Sequence, residues 1–260
     1  MRAAVPLHRL LLALCLLLPA AAPARAQLDT DRPDLAESPG AVAPHSLQLE
    51  AGWTRQHLGG SAVGGLALDT VGELLLRYGF LPGWEARVEW PTWHRRTDPG
   101  PRPYDLGFER RASSGFGGLG MGVKRELPSP HPRVEAGVIA TALLPVGEPE
   151  FGGGDGGASL VFAASLETAA ADLCANVGAG VAGGMGTAIA TVAAGRDLAS
   201  RLGAFAEVAW MDEGGASASF AGMGLTWRAS PALQFDGRGG VTFAGGESET
   251  LFGFGMARKW

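Results

Sequence analysis

Apolar and polar side chains alternate at every second residue through most of this chain. Leu47, Leu49, Ala51 and Trp53 alternate with Gln48, Glu50, Gly52 and Thr54. Leu74, Leu76, Tyr78 and Phe80 alternate with Glu73, Leu75, Arg77 and Gly79. Trp84, Ala86, Val88 and Trp90 alternate with Glu85, Arg87 and Glu89, and Leu119, Met121 and Val123 with Gly120, Gly122 and Lys124. Successive side chains of a strand point to opposite faces, so a period of two predicts strands with a different environment on each side. Similar runs continue to residue 260. Together they predict about twelve strands of roughly 8–11 residues, the length a tilted strand needs to cross a bilayer.

The chemistry of the two faces decides how such a sheet closes. One face carries Glu73, Arg77, Glu85, Arg87, Glu89, Lys124, Glu126, Glu135, Asn176, Glu207, Gln234, Asp236 and Arg238, with many Gly and Thr between them. The other is apolar, and Trp53, Tyr78, Trp84, Trp90, Trp210 and Trp227 fall mostly near its strand ends, where the two lipid–water girdles want aromatic rings. This predicts an all-β, antiparallel, up-and-down transmembrane barrel with a polar lumen; a soluble lipocalin-like barrel fits the strand count and the tryptophans less well. Residues 173–195 are uncharged and long enough for a spanning helix. Six of them are Gly, however, and Gly183-Gly184 stands at their centre, so two strands are expected there. With both termini on the periplasmic side, the short connections fall there, and long loops are expected over residues 55–68, 91–116, 145–158 and 211–219.

Ahead of the first strand the pattern changes twice. Arg2 and Arg9 flank an apolar run, and Ala24-Arg25-Ala26 is a small-residue cleavage site, so residues 1–26 read as a secretory signal peptide. Cleavage removes three arginines, leaving 18 basic against 26 acidic side chains, a balance that disfavours nucleic acid as a partner. It also leaves Cys174 as the one cysteine of the mature chain, so no internal disulfide is available. Residues 27–45 contain Asp31, Arg32, Asp34 and Glu37, too charged for lipid. Pro33 and Pro39 oppose helix and central strand alike. This segment is expected either to hang free in the periplasm or to fold back as a plug. In the second case Arg32 would pair with Glu50 or Glu73, and Asp31 or Asp34 with Arg77. Within the wall, Glu73 and Arg77 are expected to face Glu85, Arg87 and Glu89 as cross-strand ion pairs.

Other motifs carry little. Gly178-x-Gly180-x-x-Gly183 matches a dinucleotide fingerprint without the helix that must follow it. The glycine-rich run 152–157 holds a single acid, Asp155, which is poor for calcium. His45, His57, His94 and His131 lie far apart, so no metal site is expected. A barrel lipid enzyme would need Ser and His together near the rim; only His94 is placed for it, without an evident partner. Neither a catalytic residue nor a cofactor is expected.

A family resemblance rests on Thr30-Asp31-Arg32-Pro33-Asp34-Leu35-Ala36-Glu37-Ser38-Pro39 followed by Ser46-Leu47-Gln48-Leu49-Glu50-Ala51-Gly52-Trp53. Leu75-Leu76-Arg77-Tyr78-Gly79, the stretch from Gly117 to Lys124, and Ser230-Pro231-Ala232-Leu233-Gln234-Phe235-Asp236 fit it too. These resemble the outer-membrane barrels named for the MetA pathway of phenol degradation, over nearly all of the mature chain. Gly118 stands where many members carry an acid, and Leu35 replaces an aromatic. The resemblance implies a barrel over residues 46–260 that lets small solutes pass, aromatic or apolar compounds among them. The expected partners are outer-membrane lipid, the solute and, from the terminal run Phe252, Phe254, Met256 and Trp260, the barrel insertion machinery. A structural or adhesive barrel with partner-binding loops is the alternative.

Overall fold

The computed structural model describes residues 28–58, 66–91, 93–98 and 111–260; the expected signal segment lies outside them. Fifteen strand segments make one antiparallel sheet. They are β1 (Leu47–Leu58), β2 (Leu66–Val71), β3 (Leu74–Leu81), β4 (Trp84–Trp90), β5 (Trp93–Asp98), β6 (Arg111–Phe116), β7 (Leu119–Leu127) and β8 (Val134–Leu144). Then follow β9 (Gly157–Glu167), β10 (Asp172–Ala182), β11 (Met185–Ala199), β12 (Leu202–Glu213), β13 (Ala216–Ser230), β14 (Leu233–Ala244) and β15 (Glu247–Lys259). Residues β1 and β15 pair from Gln48↔Lys259 to His57↔Thr250, which closes the sheet on itself. Closure removes the sheet edges that lipid would leave unpaired, where each lone backbone group costs several kcal/mol.

Three staves of the barrel are each broken once, so fifteen segments make twelve crossings. The start of β1 pairs with β3 and its end with β2. Between them Gly72, at φ 76°, forms a bulge in which the Gly72 and Glu73 amides both donate to the Gly52 carbonyl, at 2.8 and 3.0 Å. The bulge turns Glu73 into the lumen. β4 and β5 are broken likewise at Pro91, and β6 and β7 at Gly117-Gly118. Above the break, β6 pairs with β5 alone. Its other edge meets the 3-10 turn Pro149–Phe151, whose preceding Glu148 amide donates to the Phe116 carbonyl at 2.8 Å.

Three expected loops differ. Residues 211–219 are a tight hairpin around Gly214-Gly215, at φ 60° and 89°. Gly183-Gly184 and Gly245-Gly246 do the same, because two successive residues with positive φ match the twist of a hairpin. Much of 55–68 belongs to β1 and β2, and the ends of 91–116 form β5 and β6. The other end of the barrel has short connections throughout. Residues 173–195 form β10 and β11, in register from Asp172↔Gly195 to Ala182↔Met185. Among the described residues no helix is long and apolar enough to cross a membrane.

The molecule is inverted relative to a water-soluble protein. Arg77, Lys124, Glu50 and Glu85 have no exposed surface, whereas Phe254, Met223 and Val177 lie outward with 61, 68 and 59% exposed. Aromatic side chains cluster across neighbouring strands: Trp53 packs against Phe252 and Phe254 at 5.3 and 6.2 Å, and Phe116 against Trp93 and Trp90 at 5.2 and 6.0 Å.

Candidate functional site: an occupied lumen

Residues 28–46 run inside the barrel before the chain enters β1. What holds them follows from the charges that β1, β3, β4, β7 and β14 turn inward. Asp31 is the centre. Its carboxylate accepts from Arg87 Nη1 at 2.6 Å and from Lys124 Nζ at 2.9 and 3.1 Å, with Arg77 Nη1 at 3.5 Å. Burial works against this charge, but Arg77, Lys124 and Arg87 together outweigh it and hold the Asp31 carboxyl far below its ordinary pKa. Arg77 itself is bound by Glu85 at 2.8 and 2.9 Å and by Glu50 at 3.0 Å, and it donates to the Asp29 and Gly40 carbonyls.

Around this centre the backbone is stitched to the wall. The Asp31 and Arg32 amides donate to Glu50 at 3.2 and 2.9 Å. Arg32 bridges Glu73, at 2.7 Å, and Asp236, at 3.3 Å, on the same side of the lumen. Arg238 donates to the Pro33 carbonyl at 2.9 Å, Glu126 accepts from the Ala41 amide at 2.7 Å, and Glu85 from the Val42 amide at 2.9 Å. Glu37 meets Arg87 Nη2 at 2.9 Å, and Arg87 Nε meets Glu89 at 3.3 Å. Glycines on the lumen face make the room: a Cβ on Gly52 or Gly255 would strike the Arg32 guanidinium, and one on Gly79 the Val42 and Ala43 carbonyls.

The opposite wall, β9 to β12, brings no cation to the segment and touches it at few points. Asn176 of β10 makes a two-way bond with the Glu37 backbone: its Oδ1 accepts from Glu37 N at 2.6 Å and its Nδ2 donates to Glu37 O at 2.9 Å. Thr191 Oγ1 of β11 supports it at 3.0 Å from Asn176 Oδ1. Glu207 of β12 accepts from the Leu35 amide at 2.6 Å, and Cys174 Sγ lies 3.4 Å from Glu37 O. Asp34 forms no ion pair with Arg77; burial, with the Glu207 charge beside it, pushes its carboxyl well above the ordinary range.

Two cavities flank these contacts on the same wall. Toward the long-loop end a mainly apolar pocket of about 400 Å³ is lined by Val161, Gly178, Ile189 and Met211, with Asp212 and Glu213 also in its lining. Toward the termini a cleft of about 590 Å³ is bounded by Asp34, Glu135, Ser165, Asp172, Cys174 and Ala193. At the mouth, His94 bonds Thr70 Oγ1 at 3.0 Å and stacks on Phe151 at 5.3 Å.

All eight wall residues singled out from sequence therefore meet on one side of the lumen. Asp31, Arg32 and Glu37 join their network, while Asp34 faces the other side. Asn176, Glu207 and Glu126 were expected on the polar face, but their bonds to the segment's backbone, and the close approach at the lumen glycines, were not. Their only signal was polarity, or the lack of a side chain, at inward positions.

Solved outer-membrane barrels share this architecture. An outer membrane channel from Pseudomonas putida F1 superposes with a TM-score of 0.60 at 12% identity, over 85% of this chain and 97% of that one. The KdgM porin in complex with disordered oligogalacturonate gives 0.53 at 8%, over 81% and 98%. The NanC porin gives 0.51 at 8%, over 82% and 98%. At such identities the likeness is one of fold. None of the curated proteins matches the sequence. The model of one family spans both the barrel and nearly all of the segment inside it, matching residues 30–260, and the chain thus belongs to the family described as Putative MetA-pathway of phenol degradation.

Proposed function

We propose that this protein is an outer-membrane channel for small apolar or aromatic solutes, delivered through a cleaved signal peptide and closed at rest by its own N-terminal segment. The observation that carries the reading is the division of the lumen. A half rich in ion pairs grips residues 28–46, and the other half carries a mainly apolar pocket of about 400 Å³ with Asp212 and Glu213 in its lining, a volume within the usual range for small-molecule sites. The long loops then face outward and the short turns face the periplasm. Glu73, Arg77, Glu85, Arg87, Glu89, Lys124, Asp236 and Arg238 hold the plug in place, and their field acts on solute only when the plug moves. No step of this function needs a cofactor or a catalytic group.

Uptake into vesicles of outer-membrane lipid tests the proposal. Vesicles containing the mature chain should take up a small neutral aromatic alcohol faster than empty vesicles and should not accelerate uptake of a disaccharide. Equal rates with and without protein, for the mature chain and for a chain lacking residues 29–38, would overturn it.

A further inference from the structure

We propose that solute crosses the lumen along the β9–β12 wall, from the apolar pocket to the cleft at the termini, and that the Asn176–Glu37 bond pair is the gate between them. This rests on the channel reading above and names the route and latch within it.

The geometry points to this wall on three counts. The two cavities are consecutive on the same strands. Gly178 and Ile189 line the upper one, Cys174 and Ala193 the lower one, and Asn176 and Thr191, with the small Ala163 of β9 beside them, stand between. Four residues of strand separate Gly178 from Cys174, about 13 Å at 3.3 Å per residue, so the barrier is one inward side-chain layer thick. Secondly, the grip on the segment is lopsided. The other side binds it through Arg77, Arg87, Lys124 and the carboxylates Glu50, Glu73 and Asp236, whereas this layer binds it with one amide side chain and the Glu207 carboxylate holds the Leu35 amide farther along. A charge-assisted network is the stronger of the two, so the segment parts from the wall at Asn176 first. Finally, Asn176 and Thr191 are only 3 and 2% exposed, so the layer is shut in the structure rather than left ajar.

The route carries a specificity. Solute leaving the apolar pocket enters a cleft edged by Asp34, Glu135 and Asp172, with Arg133 as the cation among its lining residues. Neutral and cationic apolar solutes pass such an edge, and aromatic carboxylates are repelled by it.

Cys174, the sole cysteine of the mature chain, lies immediately below the gate and reports on it. The experiment uses the mature chain in planar bilayers, with Asn176→Ala, Asn176→Ala/Cys174→Ser and a deletion of residues 29–38. Removing the two amide bonds should raise the open probability on the order of ten- to thirtyfold over the parent. The opened current should favour cations. A bulky methanethiosulfonate reagent should abolish most of it, and the Cys174→Ser double variant should be insensitive. If Asn176→Ala stays as closed as the parent while the deletion conducts, the gate is overturned and the channel stands. If Asn176→Ala conducts but the thiol reagent leaves its current unchanged, the route is overturned. If the deletion is also silent, the channel reading fails and the gate with it.

Discussion

Replacing Asp31 by Asn tests how the segment is held. In the native lumen this carboxylate touches Arg87 at 2.6 Å and Lys124 at 2.9 Å, and lies 3.5 Å from Arg77. The amide keeps the shape and removes the charge. Arg77 retains Glu85 and Glu50, and Arg87 retains Glu37 and Glu89. Lys124, with no exposed surface, keeps the Ser38 carbonyl but loses its carboxylate partner. Stripping one partner from a buried pair typically costs about 3–5 kcal/mol. Because two of the three cations keep other partners, the lower end applies. About 3 kcal/mol is a factor on the order of one hundred in the docking equilibrium. Hydrogen exchange reads it directly, since the amides of Leu35, Glu37, Ala41 and Val42 donate to Glu207, Asn176, Glu126 and Glu85 only while docked. Their exchange should accelerate on the order of a hundredfold in Asp31→Asn, with strand amides unchanged. Adding Lys124→Met should return part of the protection. Unaltered exchange at those four amides would refute the claim that the Asp31 cluster holds the segment.

Further outcomes follow from the same geometry. The Asp34 carboxyl is raised by burial and by Glu207, so docking is strongest below its ordinary pKa, about 4, and weakens as pH rises through the docked value; Asp31, shifted the other way, stays ionised across that range. Open probability in planar bilayers should therefore rise with pH, and Asp34→Asn should flatten the rise; an unflattened profile would assign it to another group. Gly255→Leu places a side chain on the Arg32 guanidinium and should release the segment, read as faster exchange at Leu35 and Glu37, while the barrel still folds. Val177→Arg puts a charge on the lipid face of β10 and should destabilise the folded barrel by about 2–4 kcal/mol in urea titrations, whereas Val177→Leu should be neutral.

The barrel was legible because lipid enforces a period of two on each strand it touches. Where lipid ends, the rule lapses. β5, reading Trp-His-Arg-Arg-Thr-Asp, and β6 extend the wall with no apolar face to announce them, so they read as loop. Residues 211–219 read as loop because they are small and polar, although Gly214-Gly215 carries the conformational signature of a two-residue turn. At the site, charge alone marked Arg77, Arg87 and Lys124 as inward, and placed Arg32 near Glu73. It could not choose Asp31 over Asp34 as the partner of Arg77, because that choice depends on where the segment bends between Pro33 and Pro39. Asn176 and Glu207 bind backbone amides, which every residue has, so no pattern of side chains could pair them with Glu37 and Leu35.

The central claim is that residues 28–46 close a lumen that would otherwise conduct. Single-channel recording of the mature chain beside a chain lacking residues 29–38 tests it most directly. The parent should be mostly closed, and the deletion variant should insert equally well and show discrete, long-lived conductance. Matching traces from the two proteins would contradict it.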